Sequence, residues 1–173
     1  MTRVIVGIFV LVLYVIITNE VLNYMKMEKH PTLNYCIVLC GIAGSGKTTL
    51  SHNLADEYDA KLYSYDDLLY CSSMNKLELR TWILSSIVKD LQAGINIVLD
   101  DVNILIKSRI EVLEAIKEYE CKKKLIVMNT SLEDCLLRNA NRKKRLPDWV
   151  IKHMYRKYQV PTFDEGWDEI LYY

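Results

Sequence analysis

The sequence lacks several features that would assign it to a specialised class of protein. Its five cysteines are scattered, odd in number and never spaced as C-x-x-C, which favours a reduced cytosolic domain over a disulfide scaffold or a zinc site. Basic and acidic residues both number 22, so the overall charge does not favour nucleic acid. No internal repeat or low-complexity segment occurs. The 173 residues suit one globular domain of ordinary composition.

The N-terminal segment departs from this ordinary composition, because residues 4–17 are apolar apart from the hydroxyl of Tyr14. As a helix they would extend about 21 Å, whereas the hydrocarbon core of a membrane is about 30 Å thick. No small-residue cleavage site follows, so we do not expect a removed signal peptide. Three alternatives stay open: a membrane anchor through residues 4–22, an interfacial or partner-binding helix, or a non-native extension.

This segment also sets the expected domain boundary. A start at Met25 or Met27 would leave every later motif intact, so we divide the chain into residues 1–26 and a domain over residues 27–173. We expect the domain to be cytoplasmic and, if the N-terminal segment is an anchor, tethered to the cytoplasmic face of a membrane. The sequence does not predict an oligomeric state.

The segment Gly41-Ile42-Ala43-Gly44-Ser45-Gly46-Lys47-Thr48 matches G-x-x-x-x-G-K-[ST], the phosphate-binding P-loop. An apolar strand predicted over residues 35–40 precedes it and a helix over residues 49–58 follows, as the motif requires. Lys47 would reach the β- and γ-phosphates of ATP, and the Thr48 hydroxyl would ligate Mg²⁺. The predicted nucleotide-binding residues are Gly41, Ala43, Gly44, Ser45, Gly46, Lys47, Thr48 and Thr49.

Strand and helix patterns alternate along the rest of the chain. This alternation predicts an α/β fold, a three-layer P-loop NTPase fold with a mostly parallel sheet, helices on both faces and a small lid. We interpret residues 122–124, three lysines, as a solvated loop that leads into the fourth strand. The further predicted strands cover residues 60–65, 95–99, 124–128 and 169–172, and the further helices cover residues 75–91, 106–119, 131–139 and 147–158.

Carboxylates follow two of these strands, where parallel sheets bind their ligands. Asp66 is our first choice for the base that accepts a proton from an attacking hydroxyl, and Asp67 would help to bind the acceptor. Asp100 would hold Mg²⁺, while Asp101 and Asn103 would orient the acceptor or the lid. The alternative interpretation is that these residues only cap turns and helices.

Two arginines could stabilise charge on the transferred phosphoryl group. Arg138 and Arg142 are four residues apart and would share one face of a continuing helix. A guanidinium directed at the γ-phosphate stabilises negative charge as it moves between donor and acceptor. The neighbouring basic residues 143–145 are equally well explained as a solvated loop.

These motifs resemble the P-loop polynucleotide kinase family, an AAA-type group of P-loop NTPases and kinases, from about residue 35 to 170. That family has an Asp-containing segment after its second strand, a strand ending in Asp-x-Asn, an Arg-Asn-x-x-Arg lid, a proline-led helix ending in Met-Tyr, and a closing Pro-x-x-x-Glu-Gly-aromatic-x-x-Ile. The matching segments are Tyr65-Asp66-Asp67-Leu68, Asp101-Val102-Asn103, Arg138-Asn139-Ala140-Asn141-Arg142, Pro147 to Tyr155, and Pro161 to Ile170.

The resemblance implies Asp66 as general base, Lys47 and Thr48 as residues that serve ATP and Mg²⁺, and Arg138 and Arg142 as lid arginines. It also implies that Asp101 helps to arrange the acceptor site. The chain departs from the family pattern at Leu69, where an arginine often binds the acceptor-side phosphate. It also has no phosphatase domain, which some members of the family carry.

The predicted function is therefore an ATP- and Mg²⁺-dependent kinase that transfers the γ-phosphate to a hydroxyl, first of all a polynucleotide 5′-hydroxyl. One alternative is a kinase of a small metabolite or nucleotide sugar, which the departure at Leu69 favours. A second alternative is a membrane-tethered ATP-binding switch, which the hydrophobic N-terminus favours. The partners expected are ATP, nucleic-acid ends and, through residues 4–22, a membrane.

Overall fold

The computed structural model of this protein describes residues 33–142 and 144–173. Three predictions lie outside the described residues. They are the domain boundary after residue 26, the hydrophobic segment before it and the membrane contact of residues 4–22. None of the helices in the described part of the chain combines the length and apolarity that a membrane span requires.

A sheet of five parallel strands forms the centre of the domain, in the order β2-β3-β1-β4-β5. The strands are β1 (Asn34–Cys40), β2 (Ala60–Ser64), β3 (Asn96–Asp100), β4 (Cys121–Val127) and β5 (Glu169–Tyr172). The helices are α1 (Lys47–Glu57), α2 (Tyr65–Cys71), α3 (Lys76–Gln92), α4 (Ile106–Ile116), α5 (Leu132–Ala140) and α6 (Asp148–Lys157), and a 3-10 turn covers Phe163–Glu165. This architecture confirms the predicted α/β fold with a parallel sheet.

Strand β1 shows why helices cover both faces of the sheet. Its residues alternate between two cores, as the period of a strand requires. Ile37 and Leu39 pack with Leu50 and Leu54 of α1 on one face. On the other face, the core contains apolar residues of β1, α3 and α4, among them Cys36, Val38, Leu79, Ile83, Ile87, Val112 and Ile116. The last five residues of the strand, Cys36 to Cys40, are therefore buried, and the loop that follows starts from the core.

The amino-terminal half of β4 differs from the prediction. Residues 122–124 belong to the strand rather than to a solvated loop. Lys124 is buried, and its Nζ lies 3.1 Å from Oε2 of Glu169 and 5.0 Å from the centre of the Tyr35 ring. An ion pair and an aromatic face compensate the buried charge, which hydrophobic periodicity alone does not reveal.

The carboxyl ends of β1 and β3 lie side by side and open onto one edge of the sheet. The backbone N–H of Gly41, just after β1, donates to the carbonyl oxygen of Val102, just after β3, at 3.0 Å. Helix α2 begins directly after β2, so Asp66 lies in the first turn of a helix and not in an extended loop. This edge is where ligands of parallel sheets bind.

Candidate functional site

A cavity of about 490 Å³ lies at this edge, between the P-loop and the helices α5 and α6. We call it the P-loop cavity, because its floor contains Lys47 and Thr48 and its walls contain Asp66 and Asp100. A second cavity, of about 770 Å³, adjoins it beside α2 and contains Asp67, Leu69 and Tyr70; we call it the α2 cavity. Thr48 and Asp66 line both cavities, so the two are parts of one site.

Two glycines give the P-loop its shape. Gly44 and Gly46 have φ angles of +89° and +99°, in the left-handed region that favours glycine. A Cβ atom at Gly44 would also lie 2.4 Å from the carbonyl oxygen of Cys135 in α5. The loop therefore packs against the lid helix with no room for a side chain at Gly44. In loops of this kind, backbone N–H groups bind phosphate.

Lys47 is the buried cation at the floor of the P-loop cavity. Only 8% of its surface is exposed. Its Nζ donates to the carbonyl oxygens of Gly41, at 2.8 Å, and Ile42, at 3.0 Å. Burial lowers the pKa of Lys47, although the negative charges of Asp100 and Asp101 oppose the shift. An anion that enters the loop would relieve this unfavourable burial of positive charge.

Most of the predicted nucleotide-binding residues line the P-loop cavity, namely Ala43, Gly44, Gly46, Lys47, Thr48 and Thr49. Ser45 lies on the other side of the loop, in an adjoining cavity of about 510 Å³ that also contains Asn53 and Tyr173. Gly41 lines none of these three cavities; it is buried and acts through its carbonyl oxygen, which holds Lys47.

Asp100 ends β3 and contributes a buried carboxylate, of which 6% is exposed. Burial raises the pKa of Asp100, while hydrogen bonding from the Thr48 hydroxyl opposes the shift. The hydroxyl of Ser51 is a further donor, 3.4 Å from Oδ2. A buried carboxylate beside a hydroxyl offers the hard oxygen ligands that Mg²⁺ prefers, so the donor set of Thr48 and Asp100 fits this metal.

Asp101 is held by an arginine that no sequence motif indicated. Nη1 of Arg80 donates to Oδ2 of Asp101 at 2.7 Å, and Nη2 donates to the carbonyl oxygen of Ser108 at 2.8 Å. Burial raises the pKa of Asp101, whereas the charge of Arg80 lowers it. Arg80 lies on α3, far from Asp101 in sequence, so only the packing of α3 against α4 brings the two together.

Asn103 does not occupy the position we expected. Its side chain lines neither the P-loop cavity nor the α2 cavity, and only 3% of its surface is exposed. Its Nδ2 donates to the carbonyl oxygen of Leu39 at 3.0 Å. This bond holds the segment after β3 against β1, at a residue whose φ angle is +42°. The expected role of Asn103 in orienting an acceptor stays a prediction.

A buried ion pair supports this bend from behind. The guanidinium of Arg109, fully buried in α4, binds both carboxylate oxygens of Glu165, at 2.6 and 2.7 Å, and the carbonyl oxygen of Asn103 at 3.1 Å. Burial alone would raise the pKa of Glu165, but hydrogen bonds from Arg109 and Trp167 lower it overall. The closing motif of the chain is thus tied to the segment that carries Asp101.

The remaining predicted residues lie on the exposed sides of the two cavities. Asp66 lines both cavities, and Asp67 lines only the α2 cavity. Arg142 lines both as well, and Arg138 lines the P-loop cavity, where its Nη1 donates to the carbonyl oxygen of Ser45 at 3.2 Å. The structure also adds Lys76, the first residue of α3, to the wall of the P-loop cavity.

The chain belongs to the AAA domain family, whose model matches residues 36–161. This match covers the P-loop, the acidic strand ends and the lid arginines. Together with the fold, it confirms the predicted P-loop kinase-like assignment.

One curated relative is the L-seryl-tRNA(Sec) kinase of Methanococcus maripaludis, which is 24% identical over 143 residues. The alignment covers 76% of this chain but only 55% of that protein. The chain therefore spans about half the length of this relative, and the activity of the whole relative does not transfer automatically.

Several solved structures share the fold. Kti12 of Chaetomium thermophilum, in complex with ADP-AlF3, has a TM-score of 0.66 at 16% identity, covering 79% of this chain and 87% of that one. A gluconokinase of Sinorhizobium meliloti has a TM-score of 0.59 at 15% identity, covering 81% and 82%. The Pnkp1/Rnl/Hen1 RNA repair complex contains a chain with a TM-score of 0.64 at 20% identity, covering 76% and 46%.

Proposed function

We propose that this member of the AAA domain family is an ATP- and Mg²⁺-dependent kinase that transfers the γ-phosphate of ATP to a hydroxyl of a polynucleotide, with the 5′-hydroxyl end as the first acceptor to test. The observation that carries the proposal is the position of Asp66, which lines both the P-loop cavity and the α2 cavity. A base at this junction lies between a bound triphosphate and an acceptor in the neighbouring cavity.

In the proposed reaction the P-loop binds the triphosphate of ATP through its backbone N–H groups. Lys47 leaves the carbonyl oxygens of its own loop and binds the β- and γ-phosphates. Asp66 accepts the proton of the acceptor hydroxyl as its oxygen attacks the γ-phosphorus in line with the leaving ADP. Arg138 and Arg142 stabilise the negative charge on the transferred group.

Thr48 and Asp100 would hold Mg²⁺, which neutralises charge on the phosphate oxygens when it is bound. Asp101 would help to arrange the acceptor site, and its hydrogen bond from Arg80 would hold its carboxylate in place. Asp67, at the rim of the α2 cavity, would contact the acceptor without touching the transferred phosphoryl group.

Two comparisons support a nucleic acid as the carrier of the acceptor hydroxyl. The curated relative acts on L-seryl-tRNA(Sec), and a structural neighbour belongs to an RNA repair complex. The Kti12 complex with ADP-AlF3 supports a nucleotide as the ligand of the P-loop. We extend these properties to this chain as part of the proposal.

A second candidate function is phosphorylation of a small metabolite, such as a sugar or nucleotide sugar. Leu69 favours it, because this apolar side chain lines the α2 cavity and gives no charge to hold a polynucleotide backbone. The gluconokinase neighbour has a similar fold. The two candidates differ in the molecule that receives the γ-phosphate of ATP, and this difference can be measured.

The decisive experiment incubates the purified 173-residue chain with γ-labelled ATP and a panel of acceptors. The panel contains 5′-hydroxyl DNA, RNA and tRNA, seryl-tRNA, and a metabolite extract. Label on a nucleic acid would support the first candidate. Label only in the metabolite fraction would replace it by the second.

The variants Asp66→Asn and Asp67→Asn make a matched pair, because both carboxylates are exposed and adjacent in α2. We expect Asp66→Asn to lower transfer by about 10²-fold or more, the usual contribution of a general base. Asp67→Asn should change mainly the KM for the acceptor. Equal rates for Asp66→Asn and the unchanged chain would contradict the proposed mechanism.

A further inference from the structure

The positively charged side chains that line the α2 cavity come from one of its two walls. Among the described residues that line this cavity, α2 and β2 contribute carboxylates, hydroxyls and apolar groups but no cation. Its two cations, Arg142 and Lys144, both come from the connection between α5 and α6. Arg142 also lines the P-loop cavity, whereas Lys144 lines only the α2 cavity. Lys144 is therefore the cation specific to the acceptor side.

A contact between the two walls fixes the amino group of Lys144. Its Nζ lies 3.6 Å from the centre of the Tyr70 ring, in the arrangement of a cation–π pair. Tyr70 is 76% exposed, so neither the ring nor the amino group is enclosed by the core. The ring holds the amino group over the α2 cavity without neutralising its charge, which leaves it available to an anion.

The next residue shows that this arrangement is not a general property of the basic segment. Nη2 of Arg145 lies 3.1 and 3.3 Å from the two carboxylate oxygens of Asp148. Arg145 lines neither the α2 cavity nor the P-loop cavity. Two neighbouring cations of similar exposure thus have different partners: an aromatic ring in the cavity for Lys144, and a carboxylate outside it for Arg145.

We propose that Lys144 is a specificity-determining residue that binds an anionic group, a phosphate, next to the acceptor hydroxyl, and that Tyr70 positions its amino group for this contact. The inference rests on the proposed function for the identity of the α2 cavity as the acceptor site. The phosphate is the first phosphodiester of a 5′-hydroxyl polynucleotide or the phosphate of a small phosphorylated sugar, and both present negatively charged phosphate oxygens.

The proposal has a structural consequence. Since the acceptor anion is bound by Lys144 of the α5–α6 connection and not from α2, a molecule without that anion loses its contact with Lys144. Acceptor choice and the approach of Arg142 to the transferred phosphate are then linked through one short segment. Neutral analogues of the acceptor should bind weakly even though they carry the same hydroxyl.

The test uses the 173-residue chain in Mg·ADP and measures binding of two matched pairs by calorimetry. The first pair is a 5′-hydroxyl oligoribonucleotide whose first linkage is a phosphodiester or an uncharged methylphosphonate. The second pair is ribose 5-phosphate and ribose. We expect the charged member of one pair to bind about tenfold more tightly than its neutral partner, as for one charge-assisted hydrogen bond.

Lys144→Ala should reduce this ratio to near one by weakening only the charged member. Arg145→Ala, the matched control, should leave the ratio unchanged. The pair that shows the effect identifies the source of the phosphate. The proposal is overturned if Lys144→Ala keeps the full ratio, or if the unchanged chain shows no preference in either pair. Thermal unfolding of both variants controls for folding, which neither exposed substitution should alter.

The positioning role of Tyr70 has its own readout. Tyr70→Phe keeps the ring and should keep the ratio of charged to neutral affinity. Tyr70→Ala removes the ring and should lower this ratio by about half as much as Lys144→Ala does. Equal ratios for Tyr70→Phe and Tyr70→Ala would contradict the positioning role. A charge preference that depends on Lys144, in a chain that transfers no label from ATP, would leave this inference standing and refute the kinase proposal.

Discussion

The two sides of the candidate site are built in opposite ways. On the P-loop side, Lys47 and Asp100 are buried, and short hydrogen bonds to two main-chain carbonyl oxygens hold Lys47. On the opposite side, Asp66, Arg138 and Arg142 are exposed and lie on helices and connections at the rim. A triphosphate is the same in every reaction cycle and suits a rigid receptor. An acceptor varies between kinases, and exposed side chains at the rim can be exchanged without disturbing the core.

The buried side has an energetic consequence that the exposed side lacks. Burial lowers the pKa of Lys47 and raises the pKa of Asp100, so both charged forms are less favourable than in water. Such groups lower the free energy of unfolding in exchange for a preorganised binding site. We therefore expect substitutions on the buried side to change stability and function, and substitutions at the rim to change function alone.

The largest effect on stability should follow from Arg109→Leu. This change leaves Glu165 buried without its partner and removes a donor to the carbonyl oxygen of Asn103. We expect a loss of about 3–5 kcal/mol in the free energy of unfolding, as for other broken buried ion pairs. Urea denaturation measures it. Lys117→Leu, which breaks the exposed pair with Glu114, is the control and should leave the free energy of unfolding nearly unchanged.

The next largest effect concerns the rate of transfer. Lys47→Ala removes the buried cation of the P-loop cavity and should lower transfer by about 10²–10³-fold, as for other groups that stabilise transition-state charge. The free energy of unfolding of Lys47→Ala should not fall, because the substitution removes a charge whose burial is unfavourable. Lys76→Ala removes an exposed cation from the same cavity and should have a much smaller effect. Similar rates for the two variants would contradict the contrast between the two sides.

A smaller effect should separate strain from crowding in the P-loop. Gly44 and Gly94 both have positive φ angles, +89° and +79°. An alanine at Gly94 meets no atom within 4 Å and should cost about 1–2 kcal/mol of backbone strain. Gly44→Ala adds a clash with the carbonyl oxygen of Cys135 and should cost about 1–3 kcal/mol more. Equal losses in chemical denaturation would show that α5 does not constrain the loop.

The smallest effect we expect is on the free energy of unfolding when one of two aspartates is replaced by asparagine, and its sign should differ between the two. Folding raises the pKa of Asp100 through burial, so its ionised form opposes folding at pH 7 and acidification removes this cost. Asp100→Asn should therefore raise stability at pH 7, by about 0.5–2 kcal/mol, while transfer falls.

At Asp90 burial also opposes ionisation, but hydrogen bonds from Lys61 and Tyr63 lower the pKa overall. The ionised form of Asp90 favours folding, and this contribution is lost as the pH falls below 3.8, its usual pKa. Asp90→Asn should therefore lower stability at pH 7. A loss of stability in both variants would show that burial of Asp100 is compensated by its hydroxyl neighbours. Thermal unfolding between pH 3 and 7 measures both, because this range extends below the usual pKa of Asp90.

Periodicity predicted the architecture well because most elements bury one regular face. The alternation in β1 and the spacing of Leu79, Ile83, Ile87 and Leu91 in α3 each indicated one element. Asn75 caps the predicted start of α3, where its side chain accepts hydrogen bonds from the backbone of Leu77 and Glu78. Such local patterns depend only on neighbouring residues and are visible in a single sequence.

The prediction was wrong where a partner distant in sequence decides the role of a residue. Lys124 belongs to a buried strand because Glu169 and two tyrosine rings surround it. Arg80 and Arg109 form ion pairs with Asp101 and Glu165, which lie 21 and 56 residues away in the sequence. No spacing rule connects such pairs.

The sequence alone determined the phosphate-binding loop, because a contiguous motif forms its geometry from its own backbone and glycines. It also determined the alternation of strands and helices, and hence the edge of the sheet at which Asp66 and Asp100 meet. Only the tertiary structure decided which charges are buried and which cation belongs to which cavity. Burial, and therefore each pKa and each ion pair, depends on the packing of segments that are far apart in the chain.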